Sequence, residues 1–213
     1  SFNVGGWHII SLDSTSQFSQ TSAGSPQYQW LQNDLAANNS ACTLAYFHHP
    51  VRSIGPQGDT PRMTGIWALL AQHGADLVLT AHDHNYQRWV PLDANGTPNP
   101  NGVTQFVVGT GGHSSQDLVR SDSRVAVSHK DYGALRLDLN QAGASYRFQT
   151  RTGATVDSGS LTCSSGADVV PPTAPTGLTA TPHGSSWPVA KAWGLVPSRL
   201  ACQIVPSPRL AQY

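Results

Sequence analysis

Residues Leu77 to Arg88 read LVLTAHDHNYQR. An apolar run, Leu77-Val78-Leu79, stops at two histidines one residue apart, His82 and His84. A short buried strand that ends in a His-x-His pair carries two imidazoles to one strand end, within reach of a metal ion or a substrate. The upstream segment Cys42 to Phe47 (CTLAYF) repeats the arrangement and runs into His48-His49-Pro50. Between the two, residues from about 62 to 73 set Ile66, Leu69, Leu70 and His73 on one helical face, and Gly74 stops the helix. Strand, helix and strand with short connections form a crossover unit, right-handed and with parallel strands. His48 and the His82/His84 pair then share the C-terminal edge, where open α/β sheets bind ligands.

Working outward, residues 1–13 (SFNVGGWHIISLD) read as one or two strands interrupted by Gly5-Gly6, and residues 14–24 as a polar loop. Ser25-Pro26 is an N-cap with proline at the first helical position. Tyr28, Leu31 and Leu35 fall on one face of that helix, which ends near Asn38-Asn39. A Gly/Pro loop spans 53–61. After residue 86 the pattern is all strand, with candidates at 86–91, 103–109, 132–139, 144–151 and 155–161. At residue 164 the composition breaks: SSGADVVPPTAPTG (164–177) is a Ser/Gly/Pro linker, and 178–213 is an irregular tail without a strand or helix period. Residues 1–163 form the expected domain.

Composition narrows the function classes. The chain has 213 residues, net charge zero and only 11% charged residues, so it carries no electrostatic footprint for nucleic acid or an anionic membrane. No apolar run is long enough to span a bilayer. All acidic residues are Asp, which excludes any mechanism requiring Glu. The cysteines Cys42, Cys163 and Cys202 allow one disulfide with one thiol left over. Low charge and long polar loops suit an exported protein.

A bare His-x-His also occurs as two loop histidines, and His48 at the neighbouring strand end is what favours a metal site. His82 and His84 alternate, so a turn beyond the strand must aim both inward. His49 adjoins His48, and in an extended chain only one of them faces a metal; the other contacts substrate, supports a ligand or packs. His8, His73, His129 and His183 read as structural or surface residues. A competing motif, Gly112-His113-Ser114-Ser115-Gln116, nearly matches the nucleophile elbow of serine hydrolases. It places Gln116 where that turn wants Gly, no convincing helix follows, and the acid would be Asp117 or Asp122 with His129 as base.

AYFHHPVRS followed by LTAHDHNYQR resembles the second half of a calcineurin-like metallophosphoesterase of the purple-acid-phosphatase or secreted bacterial alkaline-phosphatase kind. SFNVGGWHIISLD, AGSPQYQWLQNDL and FVVGTGG share the likeness, and PPTAPTGLTAT resembles the opening of a fibronectin type III module. The resemblance implies an α/β (α+β) fold: part of a four-layer αββα sandwich with a mixed sheet, followed by an irregular tail. It implies hydrolysis of small phosphate esters by metal-bound hydroxide, with divalent ions of the Zn, Fe or Mn type. His48 matches a ligand of one metal, His82 a ligand of the same metal and His84 a ligand of the other. His49 and Asp83 join the candidate catalytic set, with Tyr86 and Arg88 as supports around the loop. A secreted or cell-envelope location in a bacterium follows from the same likeness. The family's Asp-x-His and Gly-Asn-His motifs do not occur here, and Ala81 replaces the usual Gly before His82. The chain therefore resembles a C-terminal portion. Three neutral histidines without a carboxylate set suit one ion with an open position, and the missing half would leave a sheet edge open to self-association. Two other readings compete: a serine esterase using Ser114, and a non-catalytic metal-binding or extracellular interaction fragment.

Overall fold

A computed structural model describes residues 1–15 and 20–163. The linker, the tail with its fibronectin-like opening, and Cys202 lie outside the described residues.

The N-terminal strands β1 (Phe2–Val4) and β2 (Trp7–Ser11) form a hairpin over Gly5-Gly6. Both glycines have positive φ, 57° and 88°, which a side chain would strain. Helix α1 (Pro26–Ala37) starts as the sequence dictates: the Ser25 side chain accepts from the Tyr28 N–H, and Pro26 opens the first turn. Its Leu31 and Leu35 are buried. Strand β3 (Cys42–Tyr46) follows, then a short 3₁₀ turn at Pro61–Met63, helix α2 (Thr64–Gln72) and strand β4 (Leu77–Thr80). Gly74 takes φ 70° just past α2.

β2, β3, β4 and β6 (Thr104–Val108) run parallel and adjacent. β5 (Tyr86–Trp89) folds back beyond β6 and is antiparallel to it. β7 (Val125–His129) pairs with the far side of β5, giving the order β1-β2-β3-β4-β6-β5-β7. No sequence pattern announces β7, a strand that is nowhere fully buried. β8 (Gly133–Asn140), β9 (Gly143–Thr150) and β10 (Thr155–Thr162) form a separate antiparallel sheet.

Three layers result: the helices, the large mixed sheet and the small sheet. Both faces of the parallel strands are largely buried, so their sequences are mainly apolar. Ile10, Ala45 and Val78 face the core shared with Leu31, Leu35, Ile66 and Leu70 of the helices. Trp7, Ile9, Leu44, Leu77 and Leu79 face the core shared with Leu135, Leu137 and Phe148 of the small sheet. Among the described residues no helical layer covers the outer face of the small sheet, where Ser145, Arg147, Ser158 and Ser160 are exposed.

A buried charge group and a covalent bond fasten the small sheet to the large one. Arg88 Nε and the Tyr86 hydroxyl donate to Asp157 Oδ2 at 2.7 and 2.6 Å, and Tyr86 stacks on Phe148. Tyr86 and Arg88 thus join the sheets rather than brace the histidine loop. A Cys42–Cys163 disulfide links the start of β3 to the residue after β10. No described helix is long and apolar enough to cross a membrane.

Candidate metal centre

Four parallel strands deliver their C-terminal ends to one edge: β2 at Asp13-Ser14, β3 at His48-His49, β4 at His82, and β6 at the Gly-rich turn leading to His113. His48 Nε2 lies 3.0 Å from His82 Nδ1. The His49 ring sits 4.8 Å from that of His48 and 4.4 Å from that of His82. One ligand nitrogen from each of His48, His49 and His82 falls within 4.8 Å of the others.

Adjacent histidines share this site because the chain bends at His48-His49 instead of continuing extended, which corrects the expectation that only one could face inward. Ser14 secures the bend. Its buried hydroxyl oxygen accepts from the His49 N–H and lies 2.9 Å from His49 Nδ1.

The turn after β4 is tight. The Asp83 N–H donates to Ala81 O at 2.8 Å, and the Asn85 N–H to Asp83 O at 2.9 Å. These are consecutive three-residue turns centred on His82 and His84. His82 has φ 63°, the one positive φ among described non-glycine residues, which makes its turn the rarer, strained form. The Ala81 N–H reaches His48 O, locking the two histidine loops together.

His84 lies beside the trio rather than within it. Its Nδ1 is 3.1 Å from the Ser114 carbonyl, an acceptor only, so Nδ1 donates and Nε2 is the ring nitrogen left for a ligand. Its ring packs on His113 at 4.3 Å. Asp83, expected with the catalytic group, is fully buried. Its carboxylate accepts from the Ser53 hydroxyl and from the Gln57 N–H at 2.9 Å. A Cβ on Gly55 would sit 2.3 Å from Asp83 Cγ, so only glycine lets the loop approach this carboxylate. Asp83 therefore braces the loop after β3. Buried Gln105 and Gln87 brace it further, through Val51 and Ile54.

Burial lowers the pKa of His48, with the His82 and His84 rings adding to the effect. Burial and the His82 and His48 rings bring His49 down to about 4. His82 is lowered mainly by burial, against the pull of Asp83. The trio is thus neutral at pH 7, the form that binds a divalent cation, and its donor set fits one ion of the zinc class. The serine triad does not assemble: the Ser114 hydroxyl lies 3.2 Å from His113 Nδ1, Asp117 pairs with Lys130, Asp122 pairs with Arg124, and His129 lies against Phe148. Sequence reading overlooked Ser14, Arg62 and His113. The signal for His113 was the parallel partner of β4, strand TQFVV, which must end at the same edge.

No family model matches the chain. It is 32% identical to purple acid phosphatase 18 of Arabidopsis thaliana over 120 residues, 53% of this chain and 26% of that protein. It is 27% identical to acid phosphatase type 7 of Danio rerio over 179 residues, 65% of this chain and 40% of that protein. The chain thus spans well under half the length of these relatives. Its fold matches purple acid phosphatase PPD1 from yellow lupin, with TM-score 0.67 and 17% identity, over 76% of this chain and 32% of that one. It also matches GAP50, the anchor in the inner membrane complex of Plasmodium, with TM-score 0.62 and 18% identity, over 74% of this chain and 49% of that one. One neighbour is named a phosphatase and the other an anchor, so fold alone does not choose a function.

Proposed function

We propose that the chain is the histidine-bearing portion of a metal-dependent phosphate-ester hydrolase. The observation that carries this reading is the meeting of His48, His49 and His82 nitrogens at the C-terminal edge of parallel strands. Similarity to acid phosphatases across the same residues supports it. His48 and His82 hold the ion, with His49 as third ligand and Ser14 orienting its ring. His84 presents Nε2 from the side; the family resemblance makes it a ligand of the other metal, and in a one-ion site it is the alternative third ligand. A divalent ion of the Zn, Fe or Mn type supplies Lewis acidity, polarising a phosphoryl oxygen and acidifying water. The chain's own residues keep the imidazoles neutral, bend the His48-His49 backbone and brace the loop through buried Asp83. The domain is residues 1–163, and the resemblance favours a secreted or cell-envelope bacterial setting.

The test is metal titration of the full chain beside a phosphate-ester assay with and without EDTA. Zinc binding that weakens with His82→Ala, and hydrolysis that EDTA abolishes, are the expected results. A greater loss of zinc affinity in His84→Ala than in His49→Ala would make His84 the third ligand. Hydrolysis that survives both EDTA and His82→Ala would overturn the reading.

A further inference from the structure

We propose that Arg62 is the anion anchor of this site, the guanidinium that receives the phosphate group of the ester. The assignment rests on the metal-binding reading above and adds the residue that selects a phosphate.

Most other basic side chains face aspartates: Arg88, Arg120, Arg124, Lys130, Arg136 and Arg151 each stand opposite one, while Arg52 donates to the Asn95 carbonyl. Arg62 is held differently. Its Nε and Nη2 donate to the backbone carbonyl of Ser14 at 3.2 and 3.0 Å, and the Ser14 hydroxyl lies 2.9 Å from His49 Nδ1. The guanidinium is therefore one residue removed from the imidazole trio.

The five N–H donors of the guanidinium lie in one plane, and the Ser14 carbonyl takes the Nε/Nη2 edge. The Nη1/Nη2 edge remains, the fork that matches two oxygens of a phosphate. Arg62 is exposed, so no burial cost opposes an incoming anion. The crossover also brings the start of α2, two residues beyond Arg62, to the histidine edge, where its N–H dipoles favour negative charge. With a divalent ion in place, positive charge at this edge exceeds what Asp13 beside His49 and Asp83 beside His82 supply. A phosphate anion is attracted to that excess, and Arg62 gives it direction.

The experiment titrates inorganic phosphate into the zinc-loaded full chain by calorimetry, for wild type, Arg62→Gln and Arg62→Lys. Glutamine keeps a donor for the Ser14 carbonyl and removes the charge; lysine keeps the charge and removes the fork. Expected are zinc affinities within about twofold of wild type for both variants. Phosphate affinity falls roughly tenfold in Arg62→Gln and less in Arg62→Lys. Unchanged phosphate affinity in zinc-loaded Arg62→Gln overturns the assignment and leaves the metal reading intact. So does a zinc-loaded wild type that binds no phosphate. Loss of zinc affinity in Arg62→Gln overturns it as well, since Arg62 would then act on the ligands through Ser14. A wild-type chain that binds no zinc overturns the metal reading and this assignment together.

Discussion

His82 carries its imidazole on a backbone with φ 63°, where a side chain costs about 1–2 kcal/mol relative to the right-handed region. What holds it there is the bond from Asp83 N–H to Ala81 O, the bond from Ala81 N–H to His48 O, and the buried Asp83 carboxylate one residue on. His82→Gly should therefore be more stable than His82→Ala by about 1 kcal/mol, although both lose the ligand. Denaturant unfolding of the two variants measures the difference, and equal midpoints would mean that the turn stores no strain. The imidazoles also set a pH dependence in metal-free protein. His49 is lowered in the folded state to about 4 from 6.5, and His48 and His82 move in the same direction. Between those pH values the unfolded chain binds protons that the folded chain refuses, so stability rises with pH there. As pH falls from about 6.5 to about 4, the melting temperature should drop, and below that window the contribution of His49 is flat. His49→Gln should make the decline shallower; a variant with the same slope as wild type would contradict neutral burial of this ring.

At the scale of elements, the junction between the sheets depends on Asp157, whose side chain is only 4% exposed. Burial alone would raise its pKa, but hydrogen bonds from Arg88 and Tyr86 outweigh burial and lower it. Removing Arg88 leaves that carboxylate buried without its cation. Arg88→Ala should cost about 3–5 kcal/mol, whereas Arg136→Ala, on the solvated face of the small sheet, should barely move the unfolding midpoint. A small loss for Arg88→Ala would show that water replaces the guanidinium. This junction was not legible in the sequence, because Tyr86 and Arg88 sit just past the histidine motif and read as part of it. Strand existence was legible where burial imposes a pattern. CTLAYF and LVLT are mainly apolar runs, buried on both faces except at Tyr46, and the leucines at 135, 137 and 139 alternate over one core. Helix α1 was legible from Ser25-Pro26, a cap with a fixed φ behind it. β7 was not, since no residue of it is fully buried and nothing selects an apolar face. The split into two sheets and the placement of β5 beyond β6 are pairing choices on which period-2 alternation is silent. Among the site residues, His48 and His82 were legible from strand ends. The part played by His49 required a bend that no residue type in His-His-Pro demands.

For the whole molecule, charge decides how much chemistry the histidine edge can do. Two divalent cations held close together repel strongly, and bridging carboxylates are what offset the repulsion. The trio at this edge is uncharged, and the Asp83 carboxylate is committed to Ser53 and Gln57. The parallel core and the Cys42–Cys163 link give the edge a rigid base without adding a ligand to it. The chain should then bind one divalent ion tightly and a second only weakly, with phosphate-ester hydrolysis low beside a relative that carries a full carboxylate set. Stabilisation of developing charge is usually the largest catalytic term, and removing one such contact costs on the order of 10²–10³ in rate. Metal analysis after dialysis should give about one equivalent of zinc per chain, consistent with a three-nitrogen site. Residual hydrolysis should vanish in His82→Ala and persist in Ser114→Ala, because the Ser114 hydroxyl meets His113 and has no carboxylate behind it among the described residues. Two tightly held equivalents would show that this edge recruits carboxylates the charge argument leaves out. Hydrolysis lost with Ser114→Ala but kept under EDTA would move the chemistry to the loop after β6.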